Sequence, residues 1–253
     1  MPKGHLVASL LGMALCAGTA AAAENTLTFR GYAYDLASGK FLYTEVHKQV
    51  IEQDRWLGGT IDYYGPDGAR IGHKTLDFGQ DPYVPVYRLD LSTGGGYMEG
   101  ITALGADRID MQKKGYGSSQ VRKASVPRRG TMVADSGFHS FLRDRFADLV
   151  AGKTVEFTFA VSGELDTFRF RARRIADREF EGKPAVQLKV DPSTLLRLLA
   201  DPLYILYEPS QRRMLEYRGI SNLHDPATRK AYKVRIVYPS VPPADAPALP
   251  EDA

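Results

Sequence analysis

The chain has 253 residues, 43% of them hydrophobic, with 33 Lys+Arg against 30 Asp+Glu. That length fits a single all-β domain, since such domains run to about 250 residues. The near-balanced charge excludes the basic excess of a nucleic-acid binder. The lone cysteine, Cys16, excludes an internal disulfide framework.

Lys3 and His5 precede an apolar run from Leu6 to Ala17, and small residues from Thr19 to Ala23 lead into Glu24. A short positive start, an apolar centre and an Ala-x-Ala exit predict a secretory signal peptide over 1–23. The run is well short of the roughly 20 residues of a membrane span, so no transmembrane anchor is expected. Leu15 stands before Cys16 where lipoprotein processing wants a small residue, so no lipidation is expected. Removal of the leader takes Cys16 with it, leaving no thiol for a disulfide, a metal or a nucleophile. These features predict a periplasmic protein.

From Thr26 onward most of the chain reads with strand period. The runs "LTFRGYAY", "KFLYTEVHKQV", "WLGGTIDYY", "ARIGHKTLDF", "VPVYRLDL" and "GYMEGITAL" are followed by a basic, Gly/Ser-bearing excursion over 112–130. In "VEFTFAV", Val155, Phe157, Phe159 and Val161 face one way. In "TFRFRARRI", Phe168, Phe170 and Ala172 alternate with Arg169, Arg171 and Arg173. Ser162-Gly163 between these two runs predicts a hairpin. "PAVQLKV", "LYILYE", "RMLEYRGI" and "AYKVRIVY" complete the series. Aromatic strand ends, polar turns and basic openings recur, as in "YAYDLASGKFLY" and "HDPATRKAYKV". This is the pattern of an antiparallel meander, in which sequence neighbours pair in space.

Two helices are expected to interrupt it. One runs over 136–150, with Phe138, Phe141, Leu142, Phe146, Leu149 and Val150 on a single stripe and His139, Ser140, Arg143, Asp144 and Ala147 off it. A shorter one, "TLLRLLA", follows Asp191-Pro192-Ser193 over 193–200. Asp135 or Ser136 is expected to cap the first helix, its oxygen accepting a free N–H of the opening turn. "VADSG" also matches the start of an aspartic-protease loop, but Phe138 stands where a small residue is usual. His47, His73, His139 and His224 form no His-x-His or His-Glu-x-x-His arrangement, so neither a metal nor a cofactor is expected. No Gly-x-Ser-x-Gly elbow is present, and no catalytic residue is assigned. The Arg169/Arg171/Arg173 ladder reads as a solvated face, paired with Glu156 across the hairpin. Its sharper reading is contact with anionic lipid head groups.

Residues 131–220 resemble a family of secreted Gram-negative proteins catalogued as a domain of unknown function. The similar features are "DSGFHSFLRDRFADLVAG", the hairpin after it, and "PLYILYEPSQRRMLEYRGISN". The N-terminal meander is similar in style to the lipoprotein-localisation carriers. Those resemblances imply a curved, unclosed half-barrel wrapping helices and, by analogy, a lipophilic ligand.

The expected architecture is therefore mainly β. A large curved antiparallel meander forms an open half-barrel over 24–238, with both helices packed in its concavity, and a Pro/Ala-rich disordered tail follows over 239–253. The expected function is non-enzymatic binding or carriage of a lipid or a lipoprotein acyl chain. The site is an apolar concavity lined by Phe138, Phe141, Leu142, Phe157, Phe159, Phe168 and Phe170. The alternatives are an envelope assembly factor that binds a protein partner through a sheet edge, and a hydrolase using Asp135 and His139.

Overall fold

A computed structural model describes residues 25–193 and 201–250. The leader expected over 1–23 and the short helix expected over 193–200 lie outside these residues, apart from Ser193. The strands are β1 (Asn25–Asp35), β2 (Phe41–Glu52), β3 (Arg55–Tyr64), β4 (Arg70–Asp77), β5 (Val86–Leu91), β6 (Tyr97–Leu104), β7 (Arg108–Lys114), β8 (Arg122–Pro127) and β9 (Met132–Ala134). After the helices α1 (Gly137–Asp144) and α2 (Phe146–Val150) come β10 (Val155–Val161), β11 (Asp166–Phe180), β12 (Lys183–Pro192), β13 (Leu203–Tyr207), β14 (Met214–His224) and β15 (Ala231–Val237). Among the described residues no helix is long and apolar enough to cross a membrane.

All these strands form one 15-stranded sheet, in the order β8-β7-β6-β5-β4-β3-β2-β1-β15-β14-β13-β12-β11-β10-β9. The mainly β, open-meander expectation holds, with two corrections. The excursion over 112–130 contains β8, which pairs antiparallel with β7 as an edge strand. In addition, β9 and β10 are parallel. Parallel neighbours need a crossover connection, and the helix pair supplies it. Several turns are closed by their own carboxylates: Asp35 accepts from Ser38 N at 2.7 Å, Glu208 from Gln211 N at 2.6 Å and Asp225 from Ala227 N at 2.8 Å.

The sheet is strongly rolled. β4 is fifth and β9 fifteenth in the order, so a flat sheet would hold them roughly 48 Å apart at about 4.8 Å per strand. Yet Lys74 of β4 lies 2.7 Å from Asp135, the residue that follows β9. One large core accordingly joins both halves of the chain, with Ile101, Ile109 and Met111 beside Met132, Ala134 and Ala160.

The helix expected over 136–150 is broken at Arg145, which has φ −90° and ψ 5°. Phe138, Phe141, Leu142, Phe146 and Leu149 are buried as expected, whereas Val150 is 37% exposed. These five side chains pack on Phe157, Ala172, Val186, Leu188, Val190, Ile205 and Tyr207 of the concave face. Their burial contributes roughly 7–15 kcal/mol gross. Gly137 is required where α1 begins: a Cβ there would stand 2.1 Å from the Tyr83 carbonyl oxygen.

The tail expected to be disordered makes specific contacts over 239–250. Tyr34 Oη donates to Asp245 at 2.9 Å, Ser240 Oγ donates to Glu181 at 2.7 Å, and Ala246 packs near Tyr32, Phe41 and Val237. Composition does not reveal these contacts, because the partners come from β1 and the β11–β12 turn, both distant in sequence.

Phe141→Ala should destabilise the protein by about 3–5 kcal/mol, and Val150→Ala by no more than about 0.5 kcal/mol. Urea unfolding of the two variants checks which face of the helix pair is packed.

Candidate functional site

The sequence-expected aromatic residues do converge on the concave face. Phe138 lies 5.4 Å from Phe157 and 5.6 Å from Phe159, Phe141 lies 5.2 Å from Phe157, and Phe170 lies 6.1 Å from both Phe157 and Phe159, centroid to centroid. Leu142 is fully buried in the same cluster. Phe168 stands opposite Phe159 in the β10–β11 register and is half-buried. Such spacings are ordinary aromatic packing, so the rings and α1 occupy the concavity themselves.

Asp135 is not a helix cap; neither it nor Ser136 makes a side-chain cap hydrogen bond. Its Oδ2 accepts from Lys74 Nζ at 2.7 Å and from Asn222 Nδ2 at 2.6 Å, while Oδ1 accepts from Ser136 N and Ser136 Oγ, each at 2.7 Å. The Asp135 and Lys74 side chains are 1% and 5% exposed. Burial would raise the Asp135 carboxyl, but the Lys74 charge and the Lys74 and Ser136 hydrogen bonds outweigh it and hold it below the usual range. Lys74 also lies 6.0 and 5.8 Å from the Tyr63 and Tyr87 ring centroids. Glu99, on β6, accepts from Tyr97 Oη at 2.6 Å and from Tyr87 Oη at 3.3 Å. Burial and, more weakly, the Asp135 charge push its carboxyl up, against hydrogen bonds from the two tyrosines and the Lys74 charge.

His139 and Asp135, set four residues apart, do not act together. The His139 ring Nδ1 pairs with Tyr207 Oη at 2.8 Å, and the two rings stack at 5.6 Å. Burial, then the charges of Arg143 and His47, lower the imidazole to about 3. Among the described residues no three His, Cys, Asp or Glu side chains are placed to hold a metal.

The opposite, convex face carries the Arg ladder. Glu156 stands across from Arg171 in register, but Arg171 Nε donates to Asp191 at 3.1 Å instead. Lys189 Nζ lies 3.5 Å from the same carboxylate. Arg169 is exposed opposite Thr158, and Arg173 stands opposite Lys189. From Lys189 the cross-strand partners continue as Tyr204, Arg218, Arg235 and Tyr34. The parallel row beside it is Gln187, Leu206, Glu216 and Val237. Glu216 is 6% exposed and accepts from Arg218 Nε at 2.5 Å and from Arg235 Nε at 2.7 Å.

These rows floor a groove of about 730 Å³. Its walls are Arg178–Glu181 at the β11–β12 turn and Pro239 and Pro243 of the tail. Phe180, Leu206, Val237 and the prolines line it with carbon, while Arg178, Arg218 and Arg235 and the carboxylates of Glu179, Glu181 and Glu216 supply charges of both signs. A smaller cavity, about 330 Å³, is lined by Leu42, Ile71, His224 and Tyr232 among others. None of the seven aromatic-concavity residues lines either one.

The groove was missed in sequence. Glu216 and Arg218 do alternate on one face of "RMLEYRGI", and that signal was readable. Arg235 joins them only through the β14–β15 register. No protein family matches the chain, and no curated protein does. Among solved structures it is similar to the crystal structure of a β-barrel-like protein of domain of unknown function DUF1849 from Brucella abortus. The two share 9% identity with a TM-score of 0.49, over 85% of this chain and 97% of that one. The likeness is too distant to transfer a role to any residue.

Lys74→Met should cost about 3–5 kcal/mol in urea unfolding by stranding the buried Asp135 charge, and adding Asp135→Asn should recover part of it. His139 sets a pH test. The unfolded chain takes up a proton on this ring below about 6.5, the folded one only near 3. Its contribution to stability is therefore present above the unfolded value and is lost as pH falls toward 3. The stability gap between wild type and His139→Gln should narrow between pH 7 and pH 4.5, and a constant gap would show that this ring titrates normally.

Proposed function

We propose that this protein is a non-enzymatic binding protein of the periplasm that holds a lipophilic chain, from a lipid or a lipoprotein, in the convex groove under its C-terminal tail. The observation that carries this reading is the groove itself. It is an open groove with more polar than apolar surface; its volume of about 730 Å³ falls in the range of roughly 300–1,000 Å³ typical of ligand sites, and Phe180, Leu206, Val237 and Pro243 supply its apolar part. Each methylene buried against them is worth about 0.8 kcal/mol before the costs of association. The concavity expected to hold the ligand is the weaker candidate, because Phe138, Phe157, Phe159 and Phe170 already fill it with one another.

Two further features favour binding over the alternatives. Asp135 and His139 commit their hydrogen bonds to Lys74, Asn222, Ser136 and Tyr207, which suits a structural role rather than hydrolysis. Of the sheet edges, β8 carries the exposed charges of Arg122 and Lys123, which discourage strand addition. The other edge, β9, is covered where Ala134 N donates to Tyr83 O at 2.9 Å.

Lipid mass spectrometry of an organic extract of natively purified protein should find a bound lipophile. Titration with a fluorescent fatty acid should saturate, with roughly tenfold weaker uptake in Phe180→Ala and unchanged uptake in Phe159→Ala. Absence of saturable uptake by the wild type would remove the reading. The reverse ranking of the two variants would return the ligand to the concavity.

A further inference from the structure

We infer that the groove's ligand carries a monoanionic head, a carboxylate or a phosphodiester, seated on the paired guanidinium groups of Arg218 and Arg235. This rests on the reading of the groove as the ligand site and adds the chemical class of what it takes.

Arg218 and Arg235 are direct cross-strand partners, and like charges placed so destabilise a sheet. The arrangement persists because Glu216 lies beneath both and accepts the Nε–H of each, at 2.5 and 2.7 Å. One carboxylate against two cations leaves a residual single positive charge at the groove floor. Each guanidinium also has terminal N–H donors beyond Nε, and among the described residues no hydrogen bond from these terminal groups is found for either arginine. The side chains are 45% and 42% exposed, so they are open to the groove yet held in orientation from below. That orientation is what a carboxylate or phosphate oxygen pair needs for charge-assisted, two-point recognition. One monoanion would complete the neutralisation that Glu216 begins.

The rim adds one cation, Arg178, and two carboxylates, Glu179 and Glu181, so the positive charge is local to the arginine pair rather than a net charge of the whole groove. Glu181 accepts from Ser240 N and Ser240 Oγ of the tail, and Asp245 nearby accepts from Tyr34 Oη. Arg178 and Glu179 stand exposed and adjacent on the rim, with opposite charges. The apolar side of the groove, with Phe180, Leu206 and Val237, adjoins the arginine pair. The ligand implied is an amphiphile with one anionic end.

Matched ligands test it. Dodecanoate should bind the wild type at least tenfold more tightly than dodecan-1-ol at pH 7.5 and low salt, and the advantage should shrink as salt is raised. In Arg218→Gln/Arg235→Gln the acid should fall to the level of the alcohol, while the alcohol stays where it was. Since those changes leave Glu216 buried without partners, the triple variant that adds Glu216→Gln provides a folded control and should behave alike. Lysophosphatidylglycerol against lysophosphatidylcholine separates a phospholipid source from a free acid, and the arm showing the larger preference names the source. Equal binding of acid and alcohol would overturn the anion site while leaving the lipophile reading intact. Binding of neither would overturn both. An acid preference that survives in the triple variant would place the recognition elsewhere and also overturn the assignment.

Discussion

The rolled shape of this sheet depends on one buried carboxylate. Asp135 follows the last residue of β9 and joins Lys74 of β4 to Asn222 of β14, three elements that are far apart in the strand order. Desolvating a charged pair is costly, and it is repaid only where the hydrogen-bonding is complete. Here it is complete on the carboxylate side: Ser136 satisfies the second oxygen through its N–H and its hydroxyl. The residue even adopts φ +43° to do so, a conformation seldom used by residues other than glycine. A hydrophobic contact would tolerate sliding, whereas this arrangement specifies which strand meets which.

Around that point the interior is unusually rich in tyrosine and acid. Tyr43, Tyr63, Tyr87 and Tyr97 are buried with Glu45 and Glu99, and the hydroxyls find partners such as Ser221 and Glu99. Tyrosine suits a rolled sheet because its ring fills apolar volume while its hydroxyl reaches a polar neighbour. Gly163 belongs to the same design: a Cβ there would stand 2.5 Å from Glu99 Oε2, so a larger residue in the β10–β11 turn would press on that carboxylate. In this way tyrosine rings and carboxylates fill much of the interior.

On the convex face buried acids act as anchors for surface cations. Asp191 holds Arg171 and Lys189, and Glu216 holds Arg218 and Arg235. A nearly buried carboxylate restricts long side chains that would otherwise be free, which lowers the entropy lost when they engage a further partner. The tail then supplies a wall through Pro239 and Pro243, residues whose stiffness keeps the groove's edge in place.

Strand content, turn positions and the alternation of Phe157, Phe159, Phe168 and Phe170 against Arg169, Arg171 and Arg173 were all legible in the sequence, because a strand's two faces are written in its own period of two. The packed stripe of the helix pair was legible for the same reason, at period 3.6. What the tertiary structure alone decided is everything set by pairing across the roll: Asp135 as an ion-pair centre rather than a cap, His139 held by Tyr207, the parallel β9–β10 pair, and Glu216 beneath Arg218 and Arg235. Local periodicity states which way a side chain points but not what stands opposite it. That is fixed by register and by closure of the sheet, which depend on contacts between residues far apart in the chain, 87 positions for Asp135 and Asn222 and 178 for Tyr43 and Ser221.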